Sequence, residues 1–555
     1  MILDPLQHIA DLSEICYRFG VAYAVISPGS RNAPLIHAFT RRYKDKCYSI
    51  VDERSAGYYA LGLAKESGKA VAMICTSGTA TLNYGPALAE AYYQGIPLLA
   101  ITADRPEEWI DQQDNQTIRQ AGIYRNFIKR SINLPENLQK EEELKEFHQQ
   151  LGEVLLTGWS GSKGPVHINV PLKEPLYEDI PNSSSEAKSL AFENTTSGAS
   201  LPDSFISDWN SATRIMIIQG QNVPSSELQK NLSELIADPR AVMIAENISN
   251  IRDESIINCP ELLLSHQDWA KLPVPDLLIY SGGQVVSKKL KLWLRSLSLP
   301  SVWRVGEDLF EMDTFRQQNK FLHLPQAEAY RELTHHLQKG RGGQYKADWM
   351  KAISTVRQLR NDLLAVLPFS DLTVTDELLG SLPEGSIIEL GNSSPVRLSQ
   401  LSRDLNSMIF YSNRGVSGID GSLSTAVGTA VSSGKMTFAL LGDLGFVYDS
   451  NALWNRELPA NLRIVVLNNK GGQIFSLIPG PGKKEAYEDF FIAYHPVKLQ
   501  KLAEAFNLNY FCVSSERELA DTLPVLLAAS ERAVLAEIRT DPEINQDVFN
   551  RILGK

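Results

Sequence analysis

The stretch from Thr437 to Pro479, TFALLGDLGFVYDSNALWNRELPANLRIVVLNNKGGQIFSLIP, constrains the fold more than any other part of the chain. It holds two short apolar runs, Phe438 to Leu441 and Ile464 to Leu467, each bounded by polar breaks. That is the pattern of strands buried on both faces of a parallel sheet. The first run ends in Gly442-Asp443-Leu444-Gly445 and the second in Asn468-Asn469-Lys470-Gly471-Gly472, with a helical stretch carrying Asn451, Ala452, Leu453 and Trp454 between them. In open parallel sheets, ligands bind beyond the carboxyl ends of the strands, and both polar clusters fall there. Asp443 and Asn469, 26 positions apart, are therefore expected to meet at one spot.

An Asp carboxylate, an Asn amide oxygen and a backbone carbonyl in a Gly-containing turn are hard oxygen ligands. With no Cys or His beside them in sequence they suit Mg2+, which keeps water and shares phosphate oxygens with its cargo. Backbone N–H groups of Gly442, Leu444, Gly471 and Gly472 are candidates to hold those phosphates. Taken singly, each cluster also reads as an ordinary strand-end turn. The pairing resembles the diphosphate signature of thiamin diphosphate enzymes, Gly-Asp followed some two dozen residues later by Asn-Asn. That resemblance implies Asp443, Asn469 and the Gly471 carbonyl as ligands of Mg2+, with Mn2+ as a substitute. Leu444 departs from the Gly that many members have there.

Length and composition leave room for this. A chain of 555 residues predicts roughly three or four domains. Net charge −11 argues against a nucleic-acid or anionic-membrane surface. Five cysteines, at 16, 47, 75, 259 and 512, form no C-x-x-C pair, which fits a reducing compartment. The N-terminal segment lacks a secretory core, and no run reaches the ~18 apolar residues that span a bilayer. A cytoplasmic enzyme without membrane insertion is expected.

Residues 1–180 alternate helix and strand signals: a helix at Ile9–Phe19, a strand at Ala24–Ile26, a helix at Ala56–Lys65, a strand at Val71–Cys75, a helix at Leu82–Gln94 and a strand at Pro97–Thr102. This rhythm predicts a doubly wound parallel sheet. Residues 181–204 are rich in Ser, Asn and Thr and read as a linker. A middle domain, 205–345, has strand candidates at Arg214–Ile218, Ala241–Ala245 and Leu277–Tyr280, and a second linker at 339–344. Residues 346–555 form a third α/β unit. The fold class is α/β, with three doubly wound domains and no tandem repeat in the sequence. The segment GTAVSSGKM only approaches a P-loop, with one residue too many and Met436 in place of Ser or Thr.

Glu53, before the small-residue helix, reads alone as an acid placed at a helix N-terminus. Its context, DERSAGYYALGLA followed by TSGTATLNYGPALAEA, resembles the pyrimidine-binding domain of the thiamin diphosphate enzymes. There an acid hydrogen-bonds the aminopyrimidine ring, and burial keeps the proton it shares.

The resemblance narrows further. SPGSRNAPL, TADRPEEWIDQQDNQTIRQ, YSNRGVSGIDGSLSTAVG, GDLGFVYDSNAL and NNKGGQIFSLIP are together similar to the menaquinone-pathway 2-succinyl-5-enolpyruvyl-6-hydroxy-3-cyclohexene-1-carboxylate synthase (MenD) family. The resemblance spans the first and third domains and is patchy in the second. It implies a transferase that decarboxylates 2-oxoglutarate and adds the succinyl carbanion equivalent to isochorismate in a 1,4 sense. Both substrates are dianions, so cations must stand where their carboxylates land. By motif these residues are Ser30, Arg31, Arg105 and Gln116 in the first domain, Ser393, Arg397 and Arg414 in the third, and Lys288 and Lys289 in the second. Ser30, Arg31, Gln116, Ser393 and Arg397 would act with Glu53 in catalysis. The family has Arg at the position of Lys289, and Lys supplies no bidentate fork.

Phe475 and Leu477 would wall the isochorismate side, and Ile419 would bend the cofactor from below. Each reads equally as a core residue, Lys288 and Lys289 as a solvated helix face, and Arg397 and Arg414 as surface ion-pair partners. None of the nine histidines lies inside these motifs, so acid–base work is expected of Glu53, cofactor and water. The resemblance further implies at least a homodimer with active sites at the subunit interface. A different thiamin-dependent decarboxylase or acetohydroxyacid synthase-like ligase would give no reason for so many carboxylate-binding cations. A non-catalytic diphosphate-binding homologue would not need Glu53 together with Asp443 and Asn469.

Overall fold

The computed structural model describes residues 4–136, 138–184, 200–307, 310–317, 319–337, 343–403, 408–456, 458–477 and 485–555. Most of both expected linkers (185–199 and 338–342) and the end of the opening stretch (478–479) lie outside these residues.

The strands are β1 Val21–Ile26, β2 Cys47–Ser49, β3 Ala70–Cys75, β4 Leu98–Asp104, β5 Arg130–Asn133 and β6 Val166–Pro171 in a first sheet. A second sheet holds β7 Ile215–Gln219, β8 Ala241–Ala245, β9 Leu277–Ser281, β10 Ser301–Val305 and β11 Asn319–Leu322. A third holds β12 Ile387–Leu390, β13 Ile409–Ser412, β14 Thr437–Gly442, β15 Leu462–Asn468, β16 Asn509–Val513 and β17 Val534–Arg539. The pairings are parallel. The central strands β3, β4 and β6 are buried along their whole length, which is why β3 and β4 read as continuous apolar runs.

The first sheet runs β2-β1-β3-β4-β6-β5 and the third β13-β12-β14-β15-β17-β16. Counted within each sheet, both have the order second, first, third, fourth, sixth, fifth. The middle sheet, β11-β10-β9-β7-β8, is the same order with one strand fewer and no final inversion. The expected doubly wound architecture holds in all three.

By contacts the chain forms two compact units. One comprises 1–195, 415–434 and 448–459 and holds the first sheet; the other comprises 196–414, 435–447 and 460–555 and holds the second and third sheets.

Several boundaries differ from the sequence reading. The expected Leu82–Gln94 helix is two, Thr79–Asn83 and Gly85–Gln94. Pro86 sits in the first turn of the second, where it has no preceding helical carbonyl to clash with. The helix after β14 begins at Asp443 itself (Asp443–Tyr448), and Ser450–Leu453 is a separate 3-10 turn. The first linker is anchored where it begins: Ser183 Oγ and Ser184 N both donate 2.7 Å bonds to Asp11 of the helix Gln7–Arg18. It also ends earlier than expected, because Asp203 opens the helix Asp203–Ser211. The GTAVSSGKM segment is a helix end, with Gly434 at φ 63 closing Ser422–Ser433, and not a phosphate loop.

Within the first unit, the helices Glu53–Ser67 and Ser422–Ser433 cross through two glycines. A Cβ on Gly62 would lie 2.1 Å from Thr425 O, and one on Gly428 would lie 2.1 Å from Tyr59 O. Neither obstacle is a flexible side chain, so the helices would have to part. We expect Gly62→Ala to lower stability by about 1–3 kcal/mol, the ordinary cost of overpacking. Gly85→Ala, whose added Cβ meets nothing within 4 Å, should leave it nearly unchanged. Urea midpoints of the two variants measure the contrast.

Candidate active site

β14 and β15 pair in register from Thr437↔Leu462 to Gly442↔Leu467, so the residues after them leave the sheet side by side. Asp443 is buried. Its Oδ1 accepts from Leu444 N at 2.7 Å and its Oδ2 from Gly471 N at 2.7 Å. The expected meeting of the two strand ends is therefore a direct hydrogen bond. Asn469, also buried, donates its amide nitrogen to Asp371 Oδ2 at 2.7 Å, which turns its oxygen away from Asp371.

The glycines of this turn are required by packing. Gly471 has φ 119, and a Cβ there would lie 2.4 Å from Ile492 O; one on Gly472 would lie 2.6 Å from Phe491 O. Part of the phosphate-donor expectation is corrected here. The N–H groups of Leu444 and Gly471 already bond Asp443, and that of Gly472 donates to Ile492 O at 2.6 Å.

A histidine from outside the motifs stands beside them: His495 Nε2 is 3.5 Å from Asp443 Oδ2, and neither ring nitrogen has a hydrogen-bond partner among the described residues. His495 and Asp371 lie 52 residues after and 72 before Asp443, too far for any local pattern to join them.

Burial pushes the Asp443 carboxyl above its ordinary range, against the pull of the Gly471 and Leu444 N–H groups and His495. Burial does the same to Asp371, opposed by Thr540 and Asn469 and reinforced by the Asp443 charge. The donors this turn offers, the Asp443 carboxylate, the Asn469 amide oxygen and the Gly471 carbonyl, are all hard oxygens and fit a divalent cation.

The first unit arranges its candidates at the matching edge of its own sheet. Glu53 begins its helix behind the N-cap Asp52, which accepts from Ser55 N at 3.1 Å. Glu53 is half-buried. Burial raises its carboxyl pKa, and the Asp52 charge adds to the rise. Its own charge acts on the buried Cys75 thiol and Tyr84 phenol, which places it over the ends of the first sheet.

Ile419 lies in a segment fixed on both sides. Glu90 accepts from Gly415 N (2.5 Å) and Val416 N (2.7 Å), and Tyr58 Oη donates to Asp420 Oδ2 at 2.9 Å. Tyr58 belongs to the helix that Glu53 opens, so Ile419 is presented beside that helix; it is half-buried and not part of the core.

Arg31 is buried, with Nη1 donating to Leu172 O at 2.9 Å and Nη2 to Glu174 at 3.2 Å. Arg105 donates to Asn115 O and pairs with Asp114 at 3.3 Å and Glu174 at 4.0 Å. The two arginines thus converge on one exposed carboxylate. Ser30 and Gln116 are exposed, and Gln116, at φ 53, lays its backbone over Gly78.

In the second unit, Ser393 (φ 74) and Arg397 follow β12, and Arg414 follows β13. Arg397 donates to Ser393 O, and Arg414 Nη1 to Asn392 Oδ1 at 3.0 Å. Burial lowers the Arg397 pKa.

The Lys288–Lys289 pair does not join these cations as expected. Lys288 is exposed, and the Lys289 ammonium donates to Ser265 Oγ at 2.8 Å. Lys291, which the sequence reading passed over, is the lysine of this helix on which Arg414 and Arg397 act. Its ammonium donates to Val285 O at 2.9 Å, and burial lowers its pKa, opposed by Glu246 and deepened by the charges of Arg414, Arg295 and Arg397. Burial pushes the Glu246 carboxyl up to about 7, opposed by the Val286 and Ser287 N–H groups, Lys291 and Arg414. The helical offset from Leu290 and Leu294, both buried, was the available signal for Lys291. Phe475 packs edge-on against Phe491, with ring centroids 5.4 Å apart, while Leu477 leans on the core.

Residues 9–123 match the family described as "Thiamine pyrophosphate enzyme, N-terminal TPP binding domain", and residues 393–538 match "Thiamine pyrophosphate enzyme, C-terminal TPP binding domain". Three relatives carry the name 2-succinyl-5-enolpyruvyl-6-hydroxy-3-cyclohexene-1-carboxylate synthase. The one from Desulfotalea psychrophila is 42% identical over 516 residues, 92% of this chain and 94% of the relative. That from Flavobacterium psychrophilum is 37% identical over 99% of this chain and 98% of its own, and that from Christiangramia forsetii 38% identical over 96% of each. Glu53 lies inside the first matched region, Asp443 and Asn469 inside the second. The chain belongs to the 2-succinyl-5-enolpyruvyl-6-hydroxy-3-cyclohexene-1-carboxylate synthase family of thiamine pyrophosphate enzymes.

Proposed function

We propose that the protein decarboxylates 2-oxoglutarate and transfers the remaining succinyl unit to isochorismate by 1,4-addition, giving the carboxylate product for which its relatives are named, in menaquinone biosynthesis. The reading rests on identity to those relatives over nearly the whole chain. The acid, the two strand ends and the cations support it. Thiamin diphosphate supplies the electron sink that a 2-oxoacid needs to lose CO2.

Asp443, the Asn469 amide oxygen and the Gly471 carbonyl hold Mg2+. Glu53, whose carboxyl pKa burial raises, would hydrogen-bond the aminopyrimidine ring. Ile419 supports the cofactor from the segment that Glu90 and Tyr58 fix. Ser30, Arg31, Arg105, Gln116, Ser393, Arg397 and Arg414 receive the carboxylates of the two substrates, Arg397 those of 2-oxoglutarate, with Phe475 and Leu477 as the apolar wall beside isochorismate. Residues 1–180, 205–345 and 346–555 correspond to pyrimidine-binding, central and diphosphate-binding domains. A cytoplasmic homo-oligomer with shared sites completes the reading. Among the described residues no helix is long and apolar enough to cross a membrane.

The deciding experiment is incubation with thiamin diphosphate, Mg2+, 2-oxoglutarate and isochorismate. The expected result is CO2 and the succinylated adduct by mass spectrometry; turnover of pyruvate in place of 2-oxoglutarate would point to the other ligase class. Glu53→Gln should lower turnover by about 100-fold or more, the scale of a lost proton-transfer partner. Its cofactor affinity by calorimetry should stay near wild type. Arg397→Ala should raise the KM for 2-oxoglutarate by about tenfold or more, the loss of one charge-assisted bond. An equal rise in cofactor Kd would assign Arg397 to the cofactor instead.

A further inference from the structure

We propose that Asp371 is a positioning residue that fixes which end of the Asn469 amide faces the metal, and so sets the metal affinity of the cofactor site. The inference rests on the assignment of Asn469 as a metal ligand above. An asparagine side chain has a donor end and an acceptor end of nearly equal shape. Only the oxygen can bind Mg2+; with the amide turned over, two N–H groups face the cation. A metal-binding asparagine therefore needs something that reads its nitrogen.

Asp371 Oδ2 does so, accepting from Asn469 Nδ2 at 2.7 Å. The direction is enforced around it. Asn545 Nδ2 donates to Thr540 Oγ1 at 3.0 Å, so the Thr540 hydroxyl hydrogen is directed to Asp371 Oδ1, 2.6 Å away. Asn545 Oδ1 in turn accepts from Asp371 N at 2.8 Å. Asp371, Asn469, Thr540 and Asn545 are all buried, at 4%, 6%, 7% and 7% exposure, so water offers Asn469 little alternative. Asp371 also opens the helix Asp371–Ser381 behind the N-cap Ser370, where the helix dipole favours a negative side chain. Three segments, distant in sequence, thus converge on one carboxylate: Thr540, directed by Asn545, donates to Oδ1, and Oδ2 is left to accept from the Asn469 amide nitrogen. Supporting groups of this kind are typically worth about 10–100-fold in metal affinity.

The test titrates thiamin diphosphate into the full-length protein with and without Mg2+ and compares the affinity gain that Mg2+ brings. In Asp371→Ala that gain should shrink by about tenfold or more, with the metal-free Kd within about twofold of wild type. An undiminished gain, or an equal loss with and without Mg2+, overturns the proposal, the second because it marks a merely structural role. Should Asp371→Ala fail to fold by its thermal transition, Thr540→Val removes the hydroxyl that donates to Asp371 Oδ1 and accepts from Asn545, and leaves the Asp371 carboxylate itself in place. It should shrink the gain by about threefold, and an unchanged gain overturns the proposal. Asp443→Ala is measured alongside. If it keeps the wild-type gain, the metal assignment itself fails, and that outcome is distinct from a failure confined to Asp371.

Discussion

The hydrogen bond from Gly471 N to Asp443 Oδ2 is the contact on which the diphosphate end of this protein depends. It exists because β14 and β15 are neighbours in parallel register, so that two turns 26 residues apart emerge together. It closes the Asn469–Gly472 turn onto Asp443, and the turn can close only because Gly471 and Gly472 leave room for the carbonyls of Ile492 and Phe491. The result is a buried carboxylate, an oriented amide and a backbone carbonyl at one strand edge, with Asp371 as a second acid behind them. The carboxylate, amide and carbonyl oxygens are the hard donors to which the proposed function assigns Mg2+.

Under the proposed function an acid at the metal would give up its proton and an acid at the cofactor ring would hold one. Burial raises both carboxyls: at Asp443 the Gly471 and Leu444 N–H groups and His495 oppose the rise, whereas at Glu53 the Asp52 charge adds to it. The neighbours of the two acids thus pull in different directions. The cations follow a similar logic. In a chain of net charge −11, Arg31, Arg105, Arg397, Arg414 and Lys291 are drawn to sheet edges by specific backbone, amide and carboxylate partners.

The parallel core was legible in the sequence because strands buried on both faces must be apolar throughout, as β3, β4, β14 and β15 are. β6, β10, β12, β13, β16 and β17 were not picked out, although several are as buried, and neither were β2, β5 and β11, which flank their sheets, are three or four residues long and are only partly buried, so no continuous run announces them. The three-fold use of one strand order was equally hidden, since topology can repeat without any residue repeating. At the site, Asp443, Asn469 and Glu53 could be picked out because they fall at strand or helix ends with recognisable neighbours. Asp371, His495 and Lys291 could not, because their roles come from contacts across 52 to 123 residues. The Lys288–Lys289 pair shows the converse: two adjacent charges stood out in the sequence, but helical geometry sends Lys289 to Ser265 and presents Lys291 toward the arginines instead.

The most direct measurement of the central claim is anomalous diffraction from crystals grown with thiamin diphosphate and Mn2+ in place of Mg2+. The account predicts one strong peak per chain at the ends of β14 and β15. It should lie about 2.0–2.3 Å from an Asp443 oxygen, the Asn469 amide oxygen and the Gly471 carbonyl, with the cofactor diphosphate completing its shell. A bound cofactor whose metal peak lies away from all three of these oxygens would contradict it.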